Sequence, residues 1–229
     1  MIPGFLFLIF EALTIQDITN NAHTGFISKE KMEKYKVIYA DPPWSYKAKN
    51  PTASKGGAKG SGYSAGVNYY YDTMSIEDIQ NMPIKELANK DSVLFLWAVN
   101  PLLPEAFATM RTWGFKYKTT ITWHKMRCKG MGYWFRGHTE FLLLGVRGKV
   151  PAFRSLQHNI IQHKVLKHSK KPSVFRETIE KVTVDLNPKI ELFARDEHKG
   201  LLEGISEEVL WDKFGNQCKG SINIDMYRK

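Results

Sequence analysis

The sequence predicts an open α/β sheet, mostly parallel, with helices on both faces. Three observations carry that prediction. Val37-Ile38-Tyr39-Ala40 and Val93-Leu94-Phe95-Leu96-Trp97-Ala98-Val99 are apolar throughout, as strands covered on both faces are. After them apolar residues recur at helical spacing, first Leu103, Phe107, Met110 and Trp113, then Val174, Phe175, Ile179 and Val182. The chain has 229 residues, 43% of them hydrophobic. That suffices for one sizeable core and fits one large domain better than two small ones.

The elements follow in order. Residues 1–34 read as an N-terminal arm or extension ahead of a single domain over 35–229. Ile2 to Phe10 is an apolar run with no Lys or Arg ahead of it, and Glu11 ends it. It is too short to span a bilayer and lacks a positive leader, so an arm packed on the domain or on a second subunit is expected rather than a secretion signal. An extension upstream of an alternative start at Met32 also fits. Tyr35 to Ala40 is the first strand. Residues 45–67 are rich in Gly, Ser, Lys and Ala, and read as a mobile lid. Their glycines form neither phosphate-binding pattern, Gly-x-x-x-x-Gly-Lys-Ser/Thr or Gly-x-Gly-x-x-Gly.

Ser75-Ile76-Glu77-Asp78 matches a capping pattern, and Pro83 should split the apolar stripe of Ile76, Ile79, Ile84 and Leu87 into two helical turns. After the strand over 93–99, Asn100 should cap a helix with Pro101 at its first position and Gly114 at its end, completing a β-α-β unit with the alternating run Phe115 to Trp123. Glu140 to Val146 reads as another strand. Lys171-Pro172 opens the second long helix, and Lys189 to Ala194 returns to strand. No internal repeat is present.

The formal net charge of +10 favours a polyanionic partner, and nucleic acid is the natural one. Two cysteines, Cys128 and Cys218, are too few for a disulfide framework and point to a reducing, cytoplasmic setting without a membrane role.

Asp41-Pro42-Pro43-Trp44 carries the most chemistry. It falls at a strand's carboxyl end, where ligands bind in open α/β sheets. Proline stops the strand and leaves carbonyl oxygens free to face a cleft, so the four residues offer acceptors and a stacking face. Those suit an exocyclic amino group on a flat base. The blander reading is a strand-ending turn with a buried Trp. His158, His163 and His168 are spaced by five, which shares a face in neither helix nor strand, so no metal site is expected. His138-Thr139-Glu140 resembles half of a zinc-deaminase signature, but no Pro-Cys-x-x-Cys follows. The basic clusters around Lys116 to Lys129 and Lys164 to Lys171, with Tyr133 and Trp134 nearby, suit a nucleic-acid surface or simply solvated faces.

With these elements placed, the chain resembles the MT-A70 family of adenine N6-methyltransferases. The match is collinear from about Lys36 to Gln217, through Ala40-Asp41-Pro42-Pro43-Trp44, Tyr71-Asp72-Thr73-Met74-Ser75, Leu94-Phe95-Leu96-Trp97, Gly137-His138-Thr139-Glu140, His168-Ser169-Lys170-Lys171-Pro172, Lys189-Ile190-Glu191-Leu192-Phe193-Ala194-Arg195 and Phe214-Gly215-Asn216-Gln217. The resemblance implies a Rossmann-like methyltransferase sheet whose catalytic motif precedes most cofactor-binding residues, with S-adenosylmethionine as cofactor. It also implies that Asp41, Pro42, Pro43 and Trp44 hold the target adenine, with Tyr71 and Glu140 lining the same cleft. Lys171, Glu191, Phe193, Arg195, Asn216 and Gln217 would hold the cofactor, Lys171 at its carboxylate. The chain departs from the family after Arg195, where many relatives have a Gly-Trp pair and this one has Asp196-Glu197-His198-Lys199-Gly200. Its compactness favours DNA over RNA as substrate, and a homodimer or partner subunit is compatible with the pattern. A non-catalytic nucleic-acid-binding subunit is the reading from another class, and the intact Asp41 argues against it.

Overall fold

The computed structural model describes residues 34–45, 73–126, 134–153, 157–166, 170–195 and 211–228. The expected arm, the lid beyond Ser45, Tyr71, Cys128, His168 and the divergent stretch after Arg195 lie outside them. Seven strands form one sheet: β1 (Tyr35–Ala40), β2 (Ala88–Ala98), β3 (Lys116–Met126), β4 (Thr139–Arg147), β5 (Ile160–Lys164), β6 (Lys189–Leu192) and β7 (Asp212–Phe214). Their spatial order is β5-β3-β4-β2-β1-β6-β7. Four of the six neighbouring pairs are parallel, and the two made by β4 are antiparallel. The β-α-β unit therefore exists with a wedge in it, because β4 fills the gap between the parallel β2 and β3.

The helices are α1 (Ile76–Gln80), α2 (Ile84–Leu87), α3 (Leu103–Thr112) and α4 (Ser173–Val182). Ser75 caps α1 as expected, its hydroxyl oxygen accepting from Asp78 N at 3.0 Å, and Pro83 separates α1 from α2. Asn100 does not cap α3. A 3-10 turn over Asn100–Leu102 intervenes, and the Asn100 side chain donates to Thr139 Oγ1 at 3.1 Å instead. A ring at Pro101 favours that tight entry because its missing N–H needs no partner there. Gly114 ends the helix with φ +86°, a conformation that glycine takes without a Cβ clash.

Period-two alternation sorts the strands into two cores. Ile38, Ala40, Leu94, Leu96, Leu143, Ile190 and Leu192 face α1, α2 and α3. Val37, Tyr39, Phe95, Trp97, Leu142 and Leu144 face α4 through Phe175 and Ile179. Three layers thus bury both faces of the central strands, which is why their sequences are apolar throughout. β5 and β7, at the two edges, are short and partly exposed.

Candidate active site

β1, β6 and β7 run parallel, so their carboxyl ends share one edge of the sheet. A cleft of about 650 Å³ opens there, lined by Asp41 and Pro43 after β1, Phe193 and Arg195 after β6, and Phe214 to Gln217 after β7. Met74, Asp78 and Met82 form the opposite wall, and Ile224, Asp225 and Arg228 close it from a C-terminal 3-10 turn. Two backbone features hold this geometry. Phe193 has φ +62°, an uncommon and strained conformation for an aromatic residue, and it turns the chain into the cleft. Ala194 N donates to Phe214 O at 2.9 Å, and a Cβ on Gly215 would stand 2.4 Å from Ala194 O, so only glycine allows the two strand ends to approach.

Of the residues singled out in the sequence, Asp41, Pro43, Phe193, Arg195, Asn216 and Gln217 meet in this cleft. Of the others, Tyr71 lies outside the described residues and the rest are placed differently. The Trp44 indole is only 5% exposed and its Nε1 donates to Trp97 O at 3.0 Å, so it braces the turn from the core and offers no stacking face. Burying a large ring with its N–H satisfied outweighs exposing it. The proline carbonyls are also engaged: Pro42 O accepts from Trp44 N at 2.8 Å and Pro43 O from Met74 N at 2.9 Å. Each keeps a second lone pair.

Lys171 does not line the cleft. Its Nζ donates to both Asp41 oxygens, at 2.9 and 2.8 Å, and sits 3.5 Å from Glu140 Oε2. Glu140 pairs in turn with Lys125, a residue the sequence offered only as part of a basic cluster. Asp41, Lys171, Glu140 and Lys125 therefore form a row of alternating charge along the sheet edge. Lys171 rests 5.0 Å from the Trp97 ring centre and Lys125 5.0 Å from that of Trp123. Burial alone would raise the Glu140 carboxyl, but the Lys171 and Lys125 ammonium groups outweigh it and hold the group below its usual range.

Glu191 is elsewhere. It pairs in register with Tyr39, faces the α4 core, is 4% exposed, and accepts from Arg176 Nη1 at 2.6 Å. The resemblance implies that it holds the cofactor, whereas the pleat turns it from the cleft: its neighbours Ile190 and Leu192 face the α1–α3 side of the sheet, and it faces the other. Of the cleft residues Asp78, Asp225 and Arg228, the sequence marked only Asp78, and that as part of a helix cap. Among the described residues no group of His, Cys, Asp or Glu could hold a metal ion, and no helix is long and apolar enough to cross a membrane.

Similarity to known proteins agrees with this arrangement. The type II methyltransferase M.MunI of Mycoplasma sp is 31% identical over 192 residues, 80% of this chain and 77% of that protein. A putative N(6)-adenosine-methyltransferase MT-A70-like protein of Medicago truncatula is 25% identical over 84% of this chain, which spans only 28% of the plant protein. The N6-adenosine-methyltransferase non-catalytic subunit MTB of Arabidopsis thaliana is 28% identical over 51% of this chain and 15% of its own length. The MT-A70 family model matches residues 35–204, from the first strand through the turn that brings Arg195 into the cleft. With the collinear motifs gathered at one edge of a largely parallel sheet, that match makes the chain a member of the MT-A70 methyltransferase family.

Proposed function

We propose that this chain transfers a methyl group from S-adenosylmethionine to the N6 amino group of adenine in DNA. The observation that carries the proposal is the single cleft in which Asp41 and Pro43 stand beside Phe193, Arg195, Asn216 and Gln217. Its volume of about 650 Å³ falls in the range of small-ligand sites. Its lining suits the donor: Phe193 and Phe214 offer ring faces, Asn216 and Gln217 an amide edge for an adenine, and Arg195 a fork for oxygen acceptors. When bound, S-adenosylmethionine supplies an electrophilic methyl group on a sulfonium.

The adenine amino nitrogen is a weak nucleophile because its lone pair is delocalised into the ring. Asp41 acts on that. A carboxylate has about four acceptor positions. Lys171 takes one on each Asp41 oxygen, which leaves room for an amine N–H. The remaining lone pair of the Pro42 carbonyl can accept the second. Accepting both N–H bonds draws the lone pair out of conjugation and stabilises the positive charge that develops on nitrogen, an effect of about 3–4 kcal/mol for a well-placed acceptor. The bound donor would supply the methyl carbon and keep the bonding pair on its sulfur, while Asp41 and the Pro42 carbonyl hold the amine until its surplus proton passes to solvent. In a duplex the base must first leave the stack, with Tyr71 as a partner for its face.

DNA is favoured because the chain is 31% identical to the type II methyltransferase and 25% identical to the plant N(6)-adenosine-methyltransferase-like protein. Similarity to the latter makes RNA the second reading. The test is incubation with labelled S-adenosylmethionine and separate DNA and RNA oligonucleotides, followed by nucleoside mass spectrometry. N6-methyldeoxyadenosine is expected. Product in RNA alone would move the substrate to RNA, and no product in either would remove the activity.

A further inference from the structure

The donor cleft occupies the β1-β6-β7 half of the sheet edge. The other half, where β3 and β5 end and β4 begins, has a different surface. Trp134 and Phe135, just ahead of β4, are 94% and 89% exposed, more than any other large hydrophobic side chain among the described residues. Bare aromatics of that size are unusual on a folded surface and mark a place where something docks. They have company: Met126 closes β3 and Leu166 follows β5, both exposed, and Met126 pairs in register with Lys164. Arg136 and Lys164 are exposed on the same rim. The rim is also tied to the chemistry. Lys125 N donates to His138 O at 2.7 Å, and two residues past His138 lies Glu140, the third member of the charge row that starts at Asp41.

We infer that Trp134 and Phe135 form a stacking platform for nucleobases flanking the target adenine, with Arg136 and Lys164 meeting the adjoining phosphates. Flat apolar faces next to cations are what a nucleic-acid strand needs, since every base has a π-face and every linkage a negative charge. The overall charge of +10 agrees in sign with that occupant and opposes a second copy of the same basic chain. This inference rests on the proposed methyl transfer to a nucleic acid, and gives that reaction its acceptor-side surface.

The test separates stacking from charge. Affinity of the full chain for single-stranded and duplex oligonucleotides would be measured by fluorescence anisotropy at several salt concentrations, in wild type, Trp134→Ala/Phe135→Ala and Arg136→Gln/Lys164→Gln. Losing one base stack is worth a factor of roughly ten. The aromatic pair should therefore lower affinity tenfold or more with an unchanged logarithmic salt slope, while the charge pair should flatten the slope by up to about two units. S-adenosylmethionine affinity and thermal unfolding should stay as in wild type for both. Wild-type affinity in the aromatic variant would overturn the platform. So would sedimentation showing that wild type is a dimer that this variant loses, which would assign the patch to a second copy. Methyl transfer is scored separately: tight, Trp134-dependent binding without product leaves the platform standing and removes the activity, whereas product with Trp134-independent binding does the reverse.

Discussion

Asp41 and Glu191 stand on adjacent parallel strands, and each is paired with a cation from the segment that contains α4, Lys171 for one and Arg176 for the other. By sequence they look equivalent, each a carboxylate on or just after an apolar strand. The structure separates them by two residues of depth and a change of surroundings. Asp41 lies past the last paired residue of β1, with 32% of its side chain exposed and the cleft before it. Glu191 lies within β6, opposite Tyr39, and its carboxylate joins Arg176 in a closed group with Glu180 and Trp211. Arg176 also stacks 4.7 Å from the Trp211 ring centre. The same chemical pair thus stands open to a ligand at a rim and packs in a core, and on the proposed function only the rim pair takes part in the reaction.

The largest effect expected from that contrast is at the rim. Asp41→Ala should abolish methyl transfer, a loss of at least 100-fold by analogy with other charge-stabilising groups. Stability should change by less than about 1 kcal/mol, since a partly exposed pair contributes little and Lys171 keeps Glu140. Cofactor affinity should stay within a few-fold. Single-turnover rates, calorimetry with S-adenosylmethionine and urea unfolding check the three claims. Equal loss of binding and turnover would move Asp41 to the cofactor.

The core pair should behave in the opposite way. Glu191→Gln leaves the partly buried Arg176 charge with Glu180 as its carboxylate partner among the described residues, so unfolding free energy should fall by about 3 kcal/mol, at the low end for a broken buried pair. Below the unfolding transition, cofactor affinity should be that of wild type. A variant with normal stability and weakened S-adenosylmethionine binding would return Glu191 to the cofactor-binding set that the sequence resemblance implies.

What could be read in advance follows from what each pattern encodes. Apolar runs and helical stripes located β1, β2, β4, β6, α3 and α4 because burial on two faces leaves a continuous signature. The direction of β4 was not legible, as nothing in Glu140 to Val146 records whether its neighbours run with or against it. β5 and β7 were missed because edge strands of five and three residues are half exposed and carry little apolar signal. The cleft residues after β6 and β7 were found through a family pattern. Glu191 and Lys171 came with them and are placed elsewhere, since a motif records which residues recur and is silent on which way each side chain faces. Trp44 shows the same limit: an indole beside a carboxylate at a strand's end reads as a stacking face until its N–H is seen bonded to Trp97 O.

The smallest effect should come from Lys125, at the far end of the row that begins at Asp41. Its ammonium group helps hold the Glu140 carboxyl below the ordinary range against the opposing pull of burial. A carboxyl depressed in the folded state contributes stability that is fully present above its unfolded value and is lost as pH falls through its folded one. Lys125→Met keeps an apolar stem over Trp123 but removes one of the two cations facing Glu140, and the other, Lys171, is shared with Asp41. The acid fall-off in unfolding free energy should therefore be smaller in the variant and end at higher pH, so that the two curves run parallel above the carboxylate range and draw together as pH falls through it. Lys125→Arg should restore the wild-type curve, and Glu140→Gln should remove the difference between Lys and Met at position 125. Urea unfolding at a series of acid pH values measures wild type, the three single variants and the double variant Glu140→Gln/Lys125→Met. Superimposable curves for wild type and Lys125→Met would confine the charge row to Asp41, Lys171 and Glu140, and would return Lys125 to the solvated basic surface from which the sequence drew it.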